Sequence, residues 1–106
     1  MDRIAQLLRF LDENPGDSFM LFALAKEYEK VENQAEAFLY FQKLLETDPT
    51  YVGLYYHFGK WYERAGDVEK ALEIYDSGMK MAKSQGDQHA FNELAGAKMQ
   101  LSDPED

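Results

Sequence analysis

One spacing constrains this chain more than any other feature: similar residues recur 34 positions apart. The segment LFALAKEYEKVENQAEAFLYF, residues 21–41, aligns without a gap on YYHFGKWYERAGDVEKALEIY, residues 55–75. Leu24 falls on Phe58, Ala25 on Gly59, Tyr28 on Tyr62, Ala37 on Ala71 and Phe41 on Tyr75, and Pro15 and Pro49 stand at the same interval. A period of this length marks stacked supersecondary units, none of which can bury its apolar face alone.

Inside the unit the period changes. Leu21, Leu24, Ala25 and Tyr28 follow the i, i+3, i+4, i+7 rule and form one helical face. Ala25, Gly59, Ala37 and Ala71 are small where two helices must approach closely, and Tyr28, Phe41, Tyr62 and Tyr75 fill the wider gaps. Glycine inside a helix costs ~1 kcal/mol against alanine, so Gly59 is expected to have a close-packing reason. Asn33 with Glu36 reads as a capping box, and Gly66-Asp67 as a helix stop followed by an N-cap. Pro15-Gly16 and Asp48-Pro49 read as turns. These signals predict helices over residues 2–13, 18–31, 34–47, 51–65, 68–84 and 88–101.

The pattern resembles the tetratricopeptide-repeat (TPR) family, whose unit carries W-x₂-L-G-x₂-Y…A-x₃-F…P over two antiparallel helices. Leu21, Leu24, Ala25, Tyr28, Ala37, Phe41 and Pro49 match it in the first repeat, and Tyr55, Phe58, Gly59, Tyr62, Ala71 and Tyr75 in the second. The order of elements is similar to that of small stand-alone bacterial TPR proteins. The resemblance implies an all-α fold, a TPR-type α-solenoid of antiparallel helix pairs with two full repeats flanked by single helices. One domain over 1–106 is then expected: an N-terminal flanking helix (1–16), repeats at 18–51 and 52–85, a capping helix (88–101) and an acidic tail (102–106). Leu7, 34 before Phe41, gives the first helix the register of the second half of a repeat. Phe91, Leu94 and Ala95 give the last helix that of a first half, shifted two residues late by the 85–87 loop. Two departures stand out. Leu21 and Tyr55 replace the leading Trp, and Lys83 stands where proline is expected, which predicts a longer helix there.

Chemistry beyond packing is sparse. With no cysteine, thiolate metal sites and disulfides are excluded. His57 and His89 lack metal-ligand spacing, the seven glycines form no phosphate loop, and no nucleophile motif surrounds the serines. The chain is therefore expected not to be an enzyme and to work without metal or cofactor. A formal net charge of -9 repels phosphate backbones and anionic lipid, so neither nucleic acid nor membrane is expected as partner. Residues 1–16 do not read as a signal peptide, and the apolar run 19–25 is too short to span a bilayer; a cytoplasmic location is expected. Trp61 is expected in the core between repeats, and Leu39 as an isolated surface leucine.

What the resemblance implies for function is a concave surface, lined by the first helix of each repeat, that holds a peptide of another protein. The facing residues are then Phe19, Phe22, Lys26, Glu29 and Lys30, followed 34 later by Gly53, Tyr56, Lys60, Glu63 and Arg64, with His89 and Asn92 added by the last helix. The expected peptide-binding set is Phe19, Phe22, Lys26, Lys30, Tyr56, Lys60, Arg64, His89 and Asn92. Four cations and two acids give the two strips +2, leaving -11 to the rest of a chain whose charge is -9. Cations beside aromatics suit an acidic peptide with apolar side chains. The competing explanation is that lysines solvate helix faces and Glu29 and Glu63 offset them locally. A Lys/Asn carboxylate clamp of the chaperone-binding kind is not expected, because Phe22 and Tyr56 hold those positions. The alternative function is a homo-oligomeric scaffold, a homodimer for instance, with no peptide ligand.

Overall fold

The computed structural model of the chain describes residues 2–101; the acidic tail expected over 102–106 lies outside the described residues. Six helices and, among the described residues, no strand make up the fold: α1 (Arg3–Glu13), α2 (Ser18–Lys30), α3 (Gln34–Thr47), α4 (Gly53–Arg64), α5 (Val68–Gln85) and α6 (Gln88–Leu101). The fold is the all-α helical-repeat class, with two helix pairs, α2–α3 and α4–α5, flanked by single helices. The chain divides into two compact units, Met1–Tyr51 and Val52–Asp106. In the first, α2 packs on both α1 and α3; in the second, α5 packs on both α4 and α6.

Five of the six helices begin at an Asp or Asn whose side chain accepts a backbone N–H of the first turn: Asp2 from Ile4, Asp17 from Met20, Asn33 from Glu36, Asp67 from Lys70 and Asp87 from Ala90, at 3.0–3.2 Å. Such caps contribute ~1 kcal/mol each. At α3 only half of the expected capping box forms. The N–H of Asn33, which Glu36 would otherwise engage, is donated to the Tyr28 carbonyl at 2.8 Å. α4 starts two residues later than the sequence predicts and carries no side-chain cap. The Asp48–Thr50 turn explains the delay: the Tyr51 N–H still belongs to Asp48, at 3.1 Å, and the Asp48 carboxylate accepts from the Thr50 N–H at 3.2 Å.

The same stop-and-restart device joins helices at three places. At Gly66, φ is +83°; its N–H reaches the Glu63 carbonyl and that of Asp67 reaches Tyr62, at 3.0 and 2.9 Å. This paired closure of the last carbonyls needs a left-handed residue at the stop. Gly86 and Asp87 repeat it on Lys83 and Ala82, at 3.1 and 2.9 Å. Between α2 and α3 the left-handed residue is Glu32, with φ +61° and the same bonds from Glu32 to Glu29 and Asn33 to Tyr28. A side chain in that conformation is strained. Where the first repeat ends at Pro49, α5 runs on through Lys83 to Gln85, making it 18 residues long against 14 for α3.

Close packing of each unit rests on small residues. In the second unit the ring of Tyr75 lies on Gly59, where a Cβ would come within 2.2 Å of Cε1. Gly78 is as tight: a Cβ there would lie 2.4 Å from the Cβ of Tyr55 and 2.9 Å from Leu94 Cδ1. In the first unit Ala25, Leu44, Ala37, Phe41, Leu21 and Leu24 hold the corresponding positions and are all fully buried. The exchange of Leu21 and Leu44 for Tyr55 and Gly78, 34 residues on, trades a glycine for a larger aromatic partner.

Substitutions should rank accordingly in urea melts. Gly59→Leu, Gly78→Leu and Ala71→Leu are each expected to destabilise by ~1–3 kcal/mol or more through overpacking, whereas Lys80→Leu on an exposed position should stay within about 0.5 kcal/mol of wild type. Glu32→Gly should stabilise. Relief of the left-handed strain, ~1–2 kcal/mol, exceeds the extra unfolded-state freedom of glycine, ~0.5–1 kcal/mol. A net loss of stability would show that Glu32 makes a compensating contact.

Candidate functional site

The expected binding residues fall on one face of each first helix, and each unit can be described by itself. On α2, Phe19 is 56% exposed at the start of the face. Phe22, half-buried one turn on, sets its ring against Tyr51, with centroids 5.3 Å apart and planes tilted by 45°. Lys26 reaches Glu29 on the next turn at 3.7 Å, and Lys30 is exposed in the last turn. Ser18, at the head of α2, donates to Asp48 at 2.6 Å and so ties the helix start to the end of α3. That hydroxyl, and then Thr50, hold the Asp48 carboxyl below its ordinary range against the opposing effect of burial.

On α4 the same spacing gives a tighter arrangement. The Lys60 ammonium sits 5.5 Å from the Tyr56 ring centroid and 3.5 Å from Glu63. Glu63 also accepts a short hydrogen bond from the Tyr75 hydroxyl. Arg64 is exposed in the last turn of α4, as Lys30 is in α2. Gly53, the counterpart of Phe19, is exposed and adds no side chain. On α6 both expected residues engage their own helix: His89 stands 3.9 Å from Glu93, and Asn92 accepts from the Gln88 amide at 2.9 Å.

Electrostatically the two strips are less cationic than their residue count. Lys26 and Lys60 each meet an acid one turn away on their own helix, so the local offset by Glu29 and Glu63 is a feature of the structure. Lys30 and Arg64 lie where the helix dipole favours a cation. What folding does not account for is the aromatic content of the face, above all exposed Phe19.

Three contacts were not anticipated from sequence. Tyr51 is a neighbour of Phe22. Tyr28 stacks on Tyr40, with centroids 5.7 Å apart and planes 11° from parallel. The bond from Tyr75 to Glu63 had a signal in the alignment: the second repeat carries a tyrosine where the first has Phe41, and the added hydroxyl faces an acid. Trp61 is half-buried, edge-on to Tyr62 with centroids 5.2 Å apart, not sealed in the core. Leu39 is 55% exposed. Among the described residues no group of three or more His, Asp or Glu is placed to hold a metal ion, and no helix is long and apolar enough to cross a membrane. A cleft of about 270 Å³ lies at the α5–α6 turn, lined by Ala82, Lys83, Asp87 and Phe91 among others; none of the expected residues lines it, though His89 and Asn92 adjoin it in the chain.

Burial, and then the bond to Glu63, push the Tyr75 phenol above its ordinary value of 10.0. The folded state therefore keeps this proton to higher pH than the unfolded chain does. The stabilisation is complete below about pH 10 and is lost as pH rises beyond it, by up to ~1.4 kcal/mol per pH unit for one tyrosine. Tyr28, Tyr40, Tyr51 and Tyr62 are raised too, each chiefly by burial. Tyr75→Phe should cost ~1 kcal/mol at pH 7, for a bond to a partly solvated acid, and should flatten the alkaline limb of stability against pH. An unchanged limb would show that Tyr75 keeps its ordinary titration.

Comparison with known proteins agrees with the geometry. The tetratricopeptide-repeat family model matches residues 20–51. A TPR repeat-containing protein of Pseudomonas aeruginosa is 28% identical over 91 residues, 86% of this chain and 87% of its own length. A solution structure of a Bordetella parapertussis protein superposes with a TM-score of 0.82 at 27% identity, covering 96% of this chain and 89% of that one. The crystal structure of a tetratricopeptide repeat domain protein from Salinibacter ruber superposes with a TM-score of 0.78 at 42% identity, covering 81% of this chain and 96% of that one. With its 34-residue period, its small-on-aromatic helix pairs and a relative of that identity matched over nearly its whole length, this chain belongs to the tetratricopeptide-repeat family.

Proposed function

We propose that the chain binds a peptide segment of a partner protein through the exposed faces of α2 and α4. Members of the family are generally non-catalytic protein–protein interaction modules. The observation that carries the finer reading is Phe19, a large aromatic 56% exposed beside Phe22 and at the head of the face that ends in Lys30. A solvated phenylalanine is a standing cost to the free protein that a partner's apolar side chain would remove, and aromatic anchors of this kind dominate binding energy at interfaces. Tyr56 with Lys60 over its ring offers an apolar surface with a cation at its edge on α4. Lys30 and Arg64, exposed in the last turns of α2 and α4, are the cations assigned to an acidic partner.

The test is affinity capture followed by titration of the captured partner's peptide. Phe19→Ala is expected to weaken binding by ~30-fold or more, the size of a hot-spot loss. Lys30→Glu with Arg64→Glu should weaken it further at low salt than at high salt, since screening acts over ~8 Å at physiological ionic strength. All three residues are exposed, so helicity by circular dichroism should stay at the wild-type value. A partner whose affinity ignores both variants binds elsewhere, and the reading fails.

A further inference from the structure

In the first unit, residues of α1 and α3 line a common cleft of about 230 Å³, and none of the expected binding residues belongs to it. Leu8, Leu11, Pro15 and Tyr40 make its apolar part; Asp12 and Lys43, both exposed, complete the lining. These two charges are of opposite sign, yet among the described residues neither makes a hydrogen bond or an ion pair, with the other or with anything else. Leu39 stands one helical turn before Lys43, and so beside it on the surface of α3. It is 55% exposed, and Leu8 is 38% exposed.

The repeat does not ask for these residues. Leu39 has Glu73 as its counterpart, and Leu8 has Gln42 and Asp76, 34 and 68 residues on. On α5 both acids are engaged: Glu73 meets Lys70 at 3.4 Å, and Asp76 meets Lys98 at 2.7 Å. Lys43 has the uncharged Ser77 as its counterpart. The first unit thus places leucines where the second places paired acids, and an unpaired cation where the second places a hydroxyl.

We infer that this face of α1 and α3 docks on the same face of a second copy of the chain. The patch is its own complement. A two-fold axis sets Asp12 of each copy against Lys43 of the other, and Leu39 of each copy over the cleft of the other, beside Leu8. Such a contact is isologous: whatever residue 12 does to residue 43 across it, residue 43 does to residue 12. Covering the two leucines removes apolar surface from water. Charge also selects the place. Copies of a chain with net charge -9 repel one another in general. A contact between copies therefore needs a patch whose own charges cancel, and Asp12 with Lys43 sums to zero.

Sedimentation of the full chain, with no peptide present, tests this independently of peptide binding, since no residue of the patch is in the peptide-binding set. The wild type is expected to rise with concentration from the mass of one chain to that of two and to stop there. Asp12→Lys gives a patch with two cations and Lys43→Asp a patch with two acids; each alone should sediment at single-chain mass where the wild type is mostly dimer, and so should Leu39→Glu. Mixing the Asp12→Lys and Lys43→Asp chains in equal amounts should restore a dimer with one of each, because both cross-pairs are then of opposite sign. The chain carrying both exchanges should dimerise by itself. Circular dichroism checks that every variant keeps the wild-type helicity. A wild type that stays at single-chain mass at every concentration, a single exchange that dimerises as well as the wild type, a mixture that stays at single-chain mass, or growth beyond two chains overturns the inference.

Discussion

The ring of Tyr75 occupies the space that any side chain on residue 59 would need. That one exclusion fixes the separation of α4 and α5, and with it the bond from the Tyr75 hydroxyl to Glu63 and the placing of Lys60 between Glu63 and Tyr56. Interiors pack to crystal-like density, so a pair of helices held this closely has little freedom to slide. Gly59 forgoes helix propensity for this contact, and the aromatic area buried against it outweighs the ~1 kcal/mol involved. Gly78 extends the same logic along α5, where its missing side chain leaves room for both Tyr55 and Leu94.

The parts legible in the sequence were those governed by spacing. Leu24, Ala25, Phe58 and Gly59 are buried as their helical period requires, and the loss of proline at residue 83 lengthened α5. The N-caps at Asn33 and Asp67 were readable because an Asx side chain before an apolar period has few other uses. Other features depend on pairings that no local pattern encodes. Gly78 looked like any helical glycine, since its reason lies in Tyr55, 23 residues away in the chain. Glu32 gave no sign of a left-handed backbone; only its alignment with Gly66 marks it. The excess of cations on α2 and α4 was visible as a count, but a count cannot tell that Lys26 and Lys60 meet their own helix's acids.

Recurrence at 34 residues has two sources, and separating them decides which residues speak for function. Lys30 and Arg64 recur, yet each sits in a last turn, where the helix dipole alone favours a cation. Glu29 and Glu63 recur as partners of Lys26 and Lys60, an arrangement that stabilises any exposed helix by a few tenths of a kcal/mol. A feature that folding repeats for its own reasons does not by itself point to a ligand. Phe19 is the opposite case. Its counterpart is Gly53, so the repeat does not require an aromatic there, and at 56% exposure the core does not either. Phe10 also departs from the pattern: it is 54% exposed, whereas Leu44 and Gly78, 34 and 68 residues on, are buried. Residues that break the repeat at a cost to the free chain, more than those that obey it, are the ones whose substitution tests contact with another molecule.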